Sequence, residues 1–206
     1  MPGGNDRLSF AGMTPLRIGL IGAGKHGSRY AKHIVEDIAQ AQLIGVCRRN
    51  RQEGESFATT YGCAYYDDYH ALIDSPHVDA IAIVAPPAFH EAIVTAACQA
   101  QKHILIEKPF AISVAAGRRM SEQIEASGVR GMVAHTLRFN AIVQALKRHV
   151  PEIAPLHSIY LSQRFEPSSL LWLDRKEHTG GGTVLHTGVH SFDLLRPLTG
   201  CEADSA

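Results

Sequence analysis

The sequence predicts an α/β fold, a doubly wound parallel sheet followed by the beginning of a second, α+β domain. Three observations carry that reading. Short apolar runs alternate with helix-periodic segments through residue 135. A glycine-rich turn, Gly22-Ala23-Gly24-Lys25-His26-Gly27, follows the first apolar run and opens the first helical pattern. One run, VDAIAIV at 78–84, is apolar on both faces except at Asp79, as suits a strand covered by helices on each side.

Strands are predicted over 16–21, 43–47, 63–66, 78–84, 103–106 and 129–134. The helix after the glycine turn shows Tyr30, Ile34 and Ile38 at four-residue spacing. A second helix spans 52–61 and closes at Gly62, and a third, alanine-rich, spans 91–100. Ser113 caps a helix that runs to 127 and stops at Gly128, and Asp67-Asp68 reads as a helix N-terminus. After His135 the texture changes. A helix is expected over 137–150, ending at Pro151, then an alternating strand over 157–165. A Pro/Ser/Gly-rich loop and a helix opening after Gly180-Gly181-Gly182 follow. The division expected is a lead-in over 1–15, a dinucleotide-binding domain over 16–135 and a partial substrate or oligomerisation domain over 136–206. One strand and one or two helices do not close a sheet, so the last part reads as a fragment or as a naturally shortened domain. Its strand would leave an open edge, which a partner chain, as in a homo-oligomer, could cover.

Composition narrows the function. The 206 residues are 45% apolar and 19% charged, with 20 Lys plus Arg against 20 Asp plus Glu. A neutral balance argues against a nucleic-acid binder held by a basic face, and ordinary apolar content argues against disorder. Cys47, Cys63, Cys98 and Cys201 form no Cys-x-x-Cys pair and read as buried small residues of a reducing compartment. No apolar run is long enough to span a bilayer, and the N-terminus lacks the apolar segment of a signal peptide. A cytoplasmic protein with a small-molecule substrate is expected.

The chemistry begins at the glycine turn. In its strand–turn–helix setting, Gly22, Gly24 and Gly27 allow a tight bend and close backbone approach, and the helix N-terminus meets a pyrophosphate. Lys25 and His26 stand in the same turn. The second strand ends in Cys47-Arg48-Arg49-Asn50, with no acid before Glu53. Two guanidinium groups suit a ribose 2′-phosphate, so NADP(H) is preferred over NAD(H), which stays an option. Glu107-Lys108-Pro109 follows the fifth strand, where such sheets bind their ligands.

Together with Ala85-Pro86-Pro87, His90 and the later Gly-Gly-Gly…His segment, these motifs resemble the Gfo/Idh/MocA oxidoreductases, over residues 17–200. The resemblance implies that Lys108 lies beside the nicotinamide at the reacting oxygen, after a cis Lys–Pro bond. It implies that His190 exchanges the proton, and that Arg138 belongs to the crossover after the sixth strand. Ala85, Pro86, His90 and Glu107 fall in the cofactor cleft. His90 either packs there or hydrogen-bonds beside it. Relatives that oxidise sugars or cyclitols often carry Asp where this chain has His186, which leaves the substrate open. His186 and His190 share one helix face with Asp193 one turn on, but no further ligand is evident and no metal is expected. Trp172 either lines a substrate pocket or anchors a core.

The leading expectation is an NADP(H)-dependent oxidoreductase acting on a sugar-like or cyclitol-like polyol or ketone. Lys108 polarises the oxygen, His190 moves the proton, His186 stands with them in the catalytic set, and Arg138, Trp172 and His186 help to hold the substrate. Two alternatives stand beside it: a dinucleotide-binding module without turnover, and a cofactor-retaining elimination chemistry seen in a minority of relatives.

Overall fold

The computed structural model describes residues 14–153, 155–164 and 175–202. Six strands form one sheet in the order β3-β2-β1-β4-β5-β6: β1 (Leu16–Ile21), β2 (Ala41–Cys47), β3 (Ala64–Tyr66), β4 (Ala80–Ile83), β5 (His103–Ile106) and β6 (Gly131–Val133). The pairings β1–β2, β1–β4, β2–β3 and β5–β6 are all parallel. This is the doubly wound fold that the alternating pattern predicts. The chain divides into two compact units after Val84.

In the first unit, α1 (Gly27–Glu36) buries Ala31 and Ile34 on one face, in a cluster with Leu20, Leu43 and Val46. α2 (Arg51–Tyr61) is capped by the Asn50 side chain, which accepts from the Glu53 N–H, and ends at left-handed Gly62. A short helix, α3 (Tyr69–Ile73), opens with Asp68 accepting from the His70 N–H. Gly19 of β1 and Gly45 of β2 pair across the ladder, and a Cβ on either would lie 3.1 Å from Leu72 Cδ1. The two missing side chains let the fully buried Leu72 of α3 settle on the sheet. Asp79, the polar exception before β4, accepts from the backbone N–H, Nε and Nη2 of Arg17 at 3.0, 3.0 and 2.6 Å. It thereby ties the starts of β1 and β4 together.

In the second unit, α4 (His90–Gln99) buries Ile93, Val94 and Ala97, and α5 (Val114–Ser127) buries Ala116 and Met120. Ser113 accepts from the Ala116 N–H, and Gly128 ends α5 in the left-handed region. The helix expected over 137–150 is broken. A 3-10 turn (Thr136–Phe139) leads to Asn140, whose extended backbone and side chain cap α6 (Ala141–His149) by accepting from the Ile142 N–H. Apolar periodicity runs through Asn140, which is why it hid the break. The strand expected over 157–165 is absent from its described part, 157–164. Alternation there meets no neighbouring strand among the described residues, and a strand exists only through its ladder. Beyond α7 (Lys176–Thr179), the glycine run opens into a π-helical turn (Val184–Gly188) and then α8 (Val189–Thr199).

The cysteine expectation needs one correction: Cys47 and Cys98 are buried and Cys63 is half-buried, but Cys201 is exposed. Burial, with smaller contributions from Asp68 and Asp67, pushes the Cys47 thiol up to about 11, and burial pushes Cys63 to about 11. Both are therefore inert, protonated thiols.

Candidate active site

The glycine turn of the first unit is built for close backbone approach. Gly22 has φ +102, and its N–H donates to the Cys47 carbonyl at 3.1 Å. A Cβ on Gly27 would stand 2.1 Å from the Gly22 carbonyl oxygen, so α1 begins directly against the turn. A Cβ on Gly24 would meet nothing within 4 Å, and Gly24, Lys25 and His26 are exposed. No side chain caps α1, and within the turn the Ser28 and Arg29 N–H groups donate to the Gly24 and His26 carbonyls at 2.9 and 3.1 Å. The turn therefore fits a dinucleotide pyrophosphate. Gly27→Ala should lower stability by about 3 kcal/mol through backbone overlap and abolish dinucleotide binding. Urea unfolding with a fluorescence titration checks this, and unchanged binding would refute the tight-turn argument.

Arg48 stands just past β2, half-buried, with Nη1 donating to the Ala23 carbonyl at 2.5 Å and Nη2 paired with Glu53. Arg49 is exposed. Glu53, set aside in the sequence as too far along, comes back because Asn50 starts α2 early and one helical turn folds residue 53 toward residue 48.

In the second unit, Glu107, Lys108 and Pro109 follow β5, and the Lys108–Pro109 bond is cis, as the resemblance implied. Glu107 is buried, and its carboxylate accepts from the Lys108 N–H at 3.1 Å. Lys108 is half-buried, and its ammonium donates to the His186 carbonyl at 3.3 Å. The partner is the backbone of residue 186, so this bond does not depend on which side chain stands there. Burial pulls the Lys108 pKa down, and neighbouring Glu107 opposes that.

His186, on the π-helical turn, and His190, on α8, lie four residues apart. Burial and then the Lys108 charge hold both below the usual imidazole range. His190 Nδ1 is buried with no hydrogen-bond partner among the described residues, as are His135 Nδ1 and His178 Nδ1. The His190 ring meets His135 edge-on, with centroids 6.5 Å apart. His135 Nε2 is 3.6 Å from Asp193 Oδ1, and Arg138 holds the same carboxylate through Nη2–Oδ1 at 2.6 Å and Nε–Oδ2 at 2.8 Å. The Asp193 side chain is only 8% exposed, so this pair braces α8 to the segment after β6. Arg138, expected at the substrate, is committed to Asp193. A cavity of about 480 Å³ lies beside it, lined by His135, Phe192, Asp193 and Arg196 but not by Lys108 or His190.

His90, expected in the cofactor set, is fully buried. Its ring nitrogens lie 2.9 Å from the Ala85 carbonyl and 3.0 Å from that of Phe110. Its ring joins the loops that carry Ala85 and Phe110. Ala85 and Pro86 are half-buried. Trp172 lies outside the described residues. His135 joins this cluster without having been expected there; the available signal was its position directly after the sixth strand, where ligands gather.

The lowered imidazole values carry a stability consequence. Unfolded histidine takes up its proton near 6.5, whereas folded His135, His186 and His190 do so at lower pH. The unfolded chain therefore binds more protons in that window, and stability, full above about pH 6.5, falls as pH drops below it. Urea midpoints at pH 7.5 and 5.5 should fall accordingly, and His186→Gln should flatten the drop. Equal midpoints in the parent protein would refute the buried neutral histidines.

Comparison with known proteins agrees with this geometry. Residues 16–135, more than half of the chain, match the model of the family described as GFO_IDH_MocA, an oxidoreductase family with an NAD-binding Rossmann fold. Over 191 residues the chain is 26% identical to scyllo-inositol 2-dehydrogenase (NAD(+)) of Bacillus subtilis, covering 92% of this chain and 56% of that protein. It is 32% identical over 190 residues to inositol 2-dehydrogenase of Paracoccus denitrificans, covering 89% and 54%. A crystal structure of a probable dehydrogenase from Thermotoga maritima superimposes with a TM-score of 0.80 at 28% identity, over 91% of this chain and 56% of that one. The chain thus spans about half the length of the curated relatives it matches. With the parallel sheet, the glycine turn after β1 and the lysine after β5 in place, the chain belongs to the GFO_IDH_MocA oxidoreductase family.

Proposed function

We propose that this chain serves an oxidoreductase that moves a hydride between a nicotinamide dinucleotide and a CH–OH carbon of a cyclitol-like or sugar-like polyol, or the matching ketone. The observation that carries it is the half-buried Lys108, its ammonium at the His186 carbonyl and its charge acting on His190. The bound nicotinamide supplies the hydride acceptor or donor. Lys108 donates to the substrate oxygen and stabilises charge that builds there as the carbon is oxidised or reduced. His190, held neutral by burial, takes the hydroxyl proton in oxidation and returns it in reduction. Arg138 and Asp193 hold α8, and so His190, in place. The names of the inositol dehydrogenases among the relatives support a cyclitol.

The cofactor choice belongs to the same proposal. Arg48-Arg49 supports NADP(H), and the pairing of Arg48 with Glu53 supports NAD(H), the cofactor in the name of the Bacillus subtilis relative. A homo-oligomer in the cytoplasm completes the reading. Exposed Phe139, Ile142 and Leu146 support the first, and four free cysteines support a reducing compartment. Among the described residues no helix is long and apolar enough to cross a membrane.

The test is a fluorescence titration with NADH and with NADPH, followed by turnover assays with scyllo-inositol, myo-inositol and aldoses. Binding with turnover supports the enzyme. Binding without turnover on any of them favours the non-catalytic module, and no binding refutes both.

A further inference from the structure

We infer that Glu53 sets the cofactor preference of this chain by occupying Arg48 and so weakening the site for a ribose 2′-phosphate. The inference rests on the proposed dinucleotide site. Arg48 directly follows β2, the position from which a side chain reaches the adenosine ribose of a dinucleotide held at the glycine turn. Its guanidinium is already engaged on two sides, by the Ala23 carbonyl within the turn and by the Glu53 carboxylate. Tyr65 fixes the backbone beneath it, its hydroxyl donating to the Arg48 carbonyl at 3.0 Å. The Glu53 backbone is fixed as well, because its own N–H is the one that the Asn50 side chain accepts in capping α2.

Two consequences follow from charge alone. A 2′-phosphate brought to Arg48 must displace or sit beside a carboxylate, and like charges at that spacing repel. A 2′-hydroxyl meets no such cost and can donate to the same carboxylate. The motif Arg-Arg-Asn, read as a linear string, advertises a phosphate site; folded, its first arginine is neutralised from one turn inside the next helix.

The experiment is a fluorescence titration of the full chain with NADH and NADPH, for the parent protein, Glu53→Gln, Arg48→Ala and the double variant. Glu53→Gln keeps the size and helix preference of the side chain while removing its charge. It should shift the ratio of the two dissociation constants toward NADPH by about tenfold, and by less at high salt. In the Arg48→Ala background the same substitution should shift the ratio by less than about threefold, since the arginine it would release is gone. An unchanged ratio in Glu53→Gln overturns the inference while leaving the dinucleotide site standing. An undiminished shift without Arg48 overturns the claim that the pair acts together. If the parent protein binds neither nucleotide, the inference falls together with the site it rests on.

Discussion

Lys108→Ala is expected to lower kcat by about a thousandfold while leaving the dissociation constants for NADH and NADPH within about threefold of the parent protein. The lysine is half-buried, and the hydrogen bond from its ammonium goes to a backbone carbonyl, that of His186. A cation spending desolvation on so weak an acceptor is arranged for something stronger, and an oxygen gaining negative charge is stronger. Burial lowers its pKa, and Glu107 nearby keeps the charged form available. Removing the side chain leaves the N–H of residue 108 on the Glu107 carboxylate, so the turn after β5 retains its local anchor. The fall should therefore appear in kcat rather than in binding or in the urea midpoint. Simultaneous loss of binding and stability would mean that the lysine holds the fold and not the reaction.

Much of this arrangement is legible along the chain, for reasons that can be named. β1 and β5 appear at their expected bounds because each is an apolar run closed by a residue change that a parallel strand requires. Ser113 and Gly128 mark α5 because capping chemistry is local, needing only residues within one turn. Failures arise where two local signals compete or where the answer is not local. Asn140 breaks a helix whose apolar spacing continues through it, and a capping side chain outcompetes periodicity there. The alternating segment after residue 156 has strand-like chemistry but no ladder among the described residues. His90 has the look of a cleft histidine in the linear motif, yet its burial between two carbonyls depends on where Phe110 passes. The same holds for Asp193, whose partners His135 and Arg138 stand more than fifty positions earlier. Glu53 is a subtler case, since its distance from Arg48 in the sequence is misleading only once a helix starts between them.

His190→Gln should lower kcat by about a hundredfold to ten-thousandfold and remove the acid limb of its pH profile. Under the proposed function, oxidation needs neutral His190 to accept the hydroxyl proton. Burial first, then the charge of Lys108, depresses its pKa, so the neutral form persists below the ordinary imidazole value of 6.5. The acid limb of kcat for oxidation should accordingly lie below pH 6.5, with activity rising as pH increases through it. In reduction the same ring must carry the proton, and the limb reverses sign, activity falling as pH rises. Glutamine keeps a polar group near the buried Nδ1 position and the contact surface with His135, yet cannot exchange a proton. Its residual rate should therefore be flat across that range. Lys108→Ala supplies the companion measurement, because removing the charge should move the His190 limb upward in the small residual rate. A limb that persists unchanged in His190→Gln would assign the proton to another group, and His135, edge-on to the same ring and close to Asp193, is the next residue to replace.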